Sequence, residues 1–232
     1  MSVTIILSQF GPEADAYEPA LSGYRKYFPE AKFVLYTDRE CATPQLFNKV
    51  NVVIPPFDRN HPRYGNRSND WFKIKGLLDA ETNVAIAVDG DTLPVSDRVQ
   101  TLPALAERFG LCVPSNPRCM VHVDATVGEE GIKPFDRDYG GLHAVNMTPI
   151  AFDTSNERMR RLLDIFLMAQ RANRVRGPLA MMRAAWAVGV APAILAPQWC
   201  VCWRHNGIGN EIILHTGHEK VRDYYNVATG TD

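Results

Sequence analysis

Short apolar runs that alternate with helix-spaced segments constrain this chain more than any other feature. "VTIILSQF", Val3 to Phe10, is a run of apolar and β-branched residues with a polar exit, as a buried strand requires. "EADAYEPALSGYRKYFP" places Tyr17, Leu21, Tyr24 and Phe28 at helical spacing, and Pro29 ends it. "KFVLYTD" and "VNVVIPP" are the next two strands, the second stopped by paired prolines. "RNHPRYGNRSND" is a loop by composition, and "DWFKIKGLLDA" a helix. "VAIAV" is a fourth strand. Strands that alternate with helices in this way predict an α/β chain with a mostly parallel sheet flanked by helices.

After Asp97 the rhythm becomes irregular. "LPALAERF" is a short helix, "GLCVPSN" a strand and "LHAVNMTPIAFD" a mixed strand region. "NERMRRLLDIFLMAQRANR" and "GPLAMMRAAWAVG" are helices, the second with a core stripe of Met181, Met182 and Trp186. "APAILAP" is a strand, and an aromatic, histidine-rich tail follows. Residues 1–97 form one half and residues 98–232 a second, irregular half of a single domain, a size that 232 residues allow.

Composition excludes several classes. A formal net charge of -1 gives no footprint for nucleic acid. No apolar stretch approaches the ~18 residues of a membrane span, and Val3 to Leu7 is too short for a secretory core. Five cysteines at irregular spacing are not a disulfide framework, so a reducing, cytoplasmic setting is expected. The mildly basic face of Asn156 to Arg176 reads as an ordinary solvated face, with a weak docking surface for a lipid-linked acceptor as the alternative.

The fourth strand ends in Asp89, Gly90 and Asp91. Ligands of open α/β sheets bind beyond the carboxyl ends of strands. Residues two apart in extended chain project to one side, so both carboxylates can face one cation. Two hard oxygen donors with room for water and phosphate suit Mg²⁺ or Mn²⁺ on a diphosphate. Asp-Gly-Asp also makes ordinary turns.

With those residues in view, the chain resembles a nucleotide-sugar glycosyltransferase of the GT-A fold, in the layout of the glycogenin and bacterial galactosyltransferase group. "FVLYTD" resembles the strand whose closing aspartate lies near the nucleoside, which implies Asp38. "WFKIKGLLDA" resembles the helix that carries a basic residue facing the nucleotide, which implies Lys75, with Lys73 as the alternative. "AIAVDGDTLPVSD" resembles the Asp-x-Asp strand, with Asp89 and Asp91 as metal ligands. "ILHTGHEK" resembles the segment that supplies a metal-binding histidine and a diphosphate-contacting lysine, which implies His215, Gly217 and Lys220, with His218 a rival for the metal. The resemblance implies a divalent metal, a nucleotide-sugar donor, UDP-linked first, and a carbohydrate, glycolipid or protein acceptor.

Other residues fill out the expectation. Arg67 and Asn69, close to the helix start, are donor-site candidates, whereas Arg59 and Arg63 read as solvated. An inverting enzyme needs a carboxylate base at the acceptor hydroxyl; Asp138 is the choice, with Asp124 behind it. "WCVCWRHN" has the wrong spacing for a zinc knuckle and reads as an extended segment. Two other functions compete: an inactive sugar-nucleotide-binding protein, and a haloacid-dehalogenase-type phosphohydrolase in which the first Asp would be a nucleophile.

Overall fold

The computed structural model describes residues 1–11, 17–116, 145–173, 177–202, 209–217 and 221. Its centre is a seven-stranded sheet. In chain order the elements are β1 (Val3–Gln9), α1 (Glu18–Tyr27), β2 (Lys32–Thr37), β3 (Lys49–Val52), α2 (Tyr64–Asp79), β4 (Val84–Val88), β5 (Thr92–Pro94), α3 (Leu102–Phe109), β6 (Leu111–Pro114) and β7 (Ile150–Asp153). They continue with α4 (Glu157–Asn173), α5 (Gly177–Val188), β8 (Ala193–Leu195) and β9 (Ile213–His215). The sheet order is β3-β2-β1-β4-β7-β6-β8. β1 to β4 are mutually parallel, β7 runs antiparallel to both neighbours, and β8 is parallel to β6.

The continuous apolar runs follow from burial on both faces. Along β1, Ile6 enters the core under α2, α4 and α5, while Ile5 and Leu7 enter the core under α1 and α3. β4 divides in the same way: Ala85 and Ala87 face one core, and Val84, Ile86 and Val88 face the other. Small residues on one face let α2 lie close. At Gly76 a side chain would stand 3.0 Å from the Tyr36 ring and meet the Ile6 side chain as well. Truncating a central residue such as Ile86, fully buried, to alanine would cost about 2–5 kcal/mol.

The expected strands and helices are present; two details of them differ, and the β5–β9 pair described below was not expected. The segment read as a loop is already helical from Tyr64, because Tyr64, Arg67, Ser68 and Asp70 are buried. Tertiary burial of polar groups overrides the local preference of that stretch. Trp186, expected in the core, is 58% exposed, whereas Met181 and Met182 are buried. A spacing of four keeps Trp186 on the side of Met182, but the buried stretch of α5 ends at Ala185, so the indole extends beyond the packed part of the helix.

β5 and β9 form a separate antiparallel pair, with Thr92 opposite His215. That pair lies just past the carboxyl end of β4, and it closes the site described next.

Candidate functional site

The Asp89–Gly90–Asp91 turn is clamped at each of its three carbonyls. The Asp89 carbonyl accepts from the Thr92 hydroxyl at 2.7 Å and the Thr92 N–H at 3.2 Å. The Gly90 carbonyl accepts from the Ala20 N–H at 3.1 Å, one of the unpaired donors in the first turn of α1. The Asp91 carbonyl accepts from both the N–H and the hydroxyl of Thr216, each at 2.7 Å. The Asp89 N–H in turn donates to the Thr148 hydroxyl at 2.9 Å. With the backbone held this way, the two carboxylates have little freedom of direction.

Three groups converge there. Carboxylate oxygens of Asp89 and Asp91 and a ring nitrogen of His215 all lie within 4.8 Å of one another. His215 Nε2 is 3.2 Å from Asp91 Oδ1. Burial, the largest single influence, would lower the His215 pKa, but the hydrogen bonds to Asp91 and Cys202 and the charges of Asp91 and Asp89 together outweigh it and push the group up to about 10. Burial would raise Asp91, and the same contact with His215 holds it below the ordinary carboxylate value. Burial raises Asp89, against the pull of Lys73.

Lys73, the alternative to Lys75, is the fourth member. Its ammonium is 2.6 Å from Asp89 Oδ1 and 3.5 Å from Asp70 Oδ1, and it donates to the Met147 carbonyl at 3.0 Å. The residue is only 2% exposed. Burial disfavours its charge, yet Asp89 and Asp70 raise its pKa. Asp70 is fixed from the other side by the Gly177 N–H at 3.0 Å. A chain of charges thus runs from Asp70 through Lys73, Asp89 and Asp91 to His215, with the two neighbouring carboxylates of the turn flanked by a basic group at each end. A sequence signal for Lys73 existed: it sits three residues after Asp70 and four before the buried Leu77, on the covered face of α2.

Lys75 is not brought to this cluster. It is exposed and pairs with Asp79. Both line a groove with Thr4, Lys32 and Lys49, at the amino ends of the parallel strands. Asp38 is at the right edge, closing β2, where its carboxylate accepts from the Tyr64 hydroxyl at 2.8 Å and stands 3.3 Å from Arg39 Nε. β1 lies between β2 and β4, so Asp38 is about 10 Å of sheet away from Asp89. Arg67 is buried in the amino-terminal half of α2, with its carbonyl accepting from Gln170 Nε2 at 3.3 Å. Asn69 Oδ1 accepts from the Phe10 N–H at 3.1 Å, tying α2 to the exit of β1.

Gly217 is positioned by close approach. A β-carbon there would stand 2.8 Å from Asp91 Cγ and collide with its carboxylate oxygen. Only a glycine lets the chain after β9 lie against Asp91 undisturbed. Asp124, Asp138, His218 and Lys220 lie outside the described residues.

The parallel half-sheet, the antiparallel β7 beside it and the acidic carboxyl edge together are the GT-A fold. Among solved structures the chain is similar to the galactosyltransferase LgtC in complex with donor and acceptor sugar analogues, with TM-score 0.61 and 10% identity over 98% of this chain and 95% of that one. It is similar also to an active-site mutant of LgtC, with TM-score 0.62 and 9% identity over 98% and 95% of the two chains. At that identity the likeness carries the fold. No protein-family model matches the sequence, and no curated protein matches it. No helix among the described residues is long and apolar enough to cross a membrane.

Proposed function

We propose that the chain is a metal-dependent glycosyltransferase, hexosyltransferase-like, that moves a sugar from a nucleotide-diphosphate sugar, UDP-linked by first choice, to an acceptor hydroxyl. One observation carries the reading: Asp89, Asp91 and His215 converge at the carboxyl edge of a parallel sheet. Two carboxylate oxygens and an imidazole fit Mn²⁺ or Mg²⁺. Bound there, such a cation supplies positive charge where a diphosphate departs.

The chain's own residues do the remaining work. Asp70 and Lys73 hold Asp89 in place, so Lys73 rather than Lys75 is the basic residue of α2 that serves the site. Asp38 takes the nucleoside end, with Arg67 on the α2 side. Gly217 lets backbone lie against Asp91, and Lys220 takes a diphosphate oxygen. In an inverting course Asp138, backed by Asp124, accepts the proton of the acceptor hydroxyl. A retaining course needs instead a polar group beside the anomeric carbon. Residues 1–97 hold the donor and residues 98–232 the acceptor, which is a carbohydrate, glycolipid or protein; the basic face of α4 is the surface for peripheral contact with a lipid-linked one.

The test is calorimetric titration of UDP, GDP, UDP-glucose and UDP-galactose with Mn²⁺ or with EDTA, on wild type and Asp91→Ala. Metal-dependent binding of one nucleotide, lost in the variant, supports the reading and names the base. Slow hydrolysis of the bound sugar nucleotide then separates an enzyme from an inactive binder. Failure of every nucleotide to bind sinks the donor-site assignment.

A further inference from the structure

The segment after β8 brings together a second group of metal-binding atoms. Cys200 and Cys202, two apart in extended chain, point to one side. Both are buried and neither is in a disulfide. Their sulfurs each lie 3.9 Å from Nδ1 of His215. The sequence spacing alone argued against a zinc knuckle, but the third donor comes from β9, which runs alongside: the Val201 N–H bonds the Ile213 carbonyl at 2.8 Å, and the His215 N–H bonds the Val201 carbonyl at 3.0 Å.

We propose that Cys200, Cys202 and His215 Nδ1 form a thiolate-rich cation site for Zn²⁺-class ions, back to back with the carboxylate site across one imidazole ring. Three observations carry it. The first is spacing. In a tetrahedral site with Zn–S about 2.3 Å and Zn–N about 2.0 Å, nitrogen and sulfur stand about 3.5 Å apart. The observed 3.9 Å needs a contraction of only a few tenths of an ångström.

The second is orientation. His215 Nε2 faces Asp91 Oδ1 at 3.2 Å. With its proton on Nε2, the ring directs the Nδ1 lone pair at the two sulfurs, the carboxylate–histidine–metal arrangement that orients zinc ligands. The third is the surrounding shell. Asn146 Nδ2 lies 3.1 Å from Cys200 Sγ and 3.6 Å from Cys202 Sγ, so one amide donates toward both sulfurs. Such N–H donors stabilise thiolates. Charge also balances: two thiolates and a neutral imidazole make a dication site neutral overall, which suits a place this buried. Binding releases the two thiol protons and, because contact with Asp91 keeps the His215 ring charged, the Nδ1 proton as well.

A consequence follows on the function proposed above. An ion held through Nδ1 leaves Nε2–H on Asp91, so the carboxylate cation loses its imidazole. Thiophilic ions therefore compete with Mn²⁺ for His215.

The test uses the reduced, chelator-treated full chain with Co²⁺, no nucleotide present. A near-ultraviolet thiolate-to-cobalt charge-transfer band is expected in wild type and in Asp89→Asn. It should vanish in the Cys200→Ser/Cys202→Ser double variant. Cobalt binding without the band, or a band that persists in the double variant, overturns the site. Should the double variant fail to fold, zinc K-edge absorption of wild type loaded with one equivalent decides. Two sulfur scatterers support the site, and a shell of oxygen and nitrogen alone overturns it. Neither readout depends on nucleotide binding, so the two proposals can fail separately.

Discussion

The ammonium of Lys73 stands 2.6 Å from the carboxylate of Asp89, and the lysine is almost wholly buried. The edge of β4 therefore carries a built-in cation of its own. Removing it strands Asp70 and Asp89 without their counter-charge. Lys73→Met should lower stability by about 3 kcal/mol, the cost of breaking a buried pair from one side. Mn²⁺ should restore part of that loss. Urea unfolding with Mn²⁺ and with EDTA measures both; a loss under about 0.5 kcal/mol would mean the charges are compensated elsewhere.

Lys75 is the contrast. It is exposed, pairs with Asp79 and faces the opposite end of the strands. Lys75→Ala should change stability by no more than about 0.5 kcal/mol and leave nucleotide affinity as it is. A tenfold weaker nucleotide affinity in calorimetry would move the basic group of the site back to Lys75.

The contact between Gly217 and Asp91 makes a one-methyl test. Gly217→Ala keeps every charge but drives a β-carbon into the Asp91 carboxylate. The expected result is Mn²⁺ affinity reduced by at least ~10-fold, the scale of lost orienting contacts, with the unfolding midpoint nearly unchanged. Unaltered Mn²⁺ binding, followed by electron paramagnetic resonance, would show that Asp91 does not need its observed position.

Alkaline stability has a definite sign. Burial raises Tyr24, Tyr36 and Cys112 above their ordinary values. Folding thus favours their neutral forms. The stability this contributes is complete below the unfolded values, 9.0 for the thiol and 10.0 for the phenols. For Cys112 it is lost between 9.0 and about 12. His215, raised from 6.5 to about 10, adds a loss that begins near pH 6.5, so the melting temperature should decline from about pH 6.5 and more steeply above about pH 9; a flat profile across that range would contradict these shifts.

Much of the frame was legible in the sequence, because strands buried on both faces read as uninterrupted apolar runs. Val84 to Val88 is the plainest case, and the aspartates that end it pointed to the edge where the site lies. The start of α2 was not legible, since Arg67, Ser68 and Asp70 look like loop residues until the fold buries them. The choice between Lys73 and Lys75 turned on about 200° of helical rotation. The polar first half of α2 hides which face is covered. β5 could not be read at all: three residues acquire strand character only through a partner far along the chain. The same distance hid the meeting of Cys200 and Cys202 with His215.

That distance carries one more consequence. Asp91 and Thr216, joined by two hydrogen bonds, are 125 residues apart in sequence. During synthesis the parallel strands and the carboxylate pair emerge early, while β9 arrives only after α4, α5 and β8. A nascent chain can therefore build its sheet long before it has an imidazole at the edge. Pairing of β9 with β5 is thus the late step that brings the imidazole to the carboxylate pair, and a chain stopped before Ile213 would carry the edge without it.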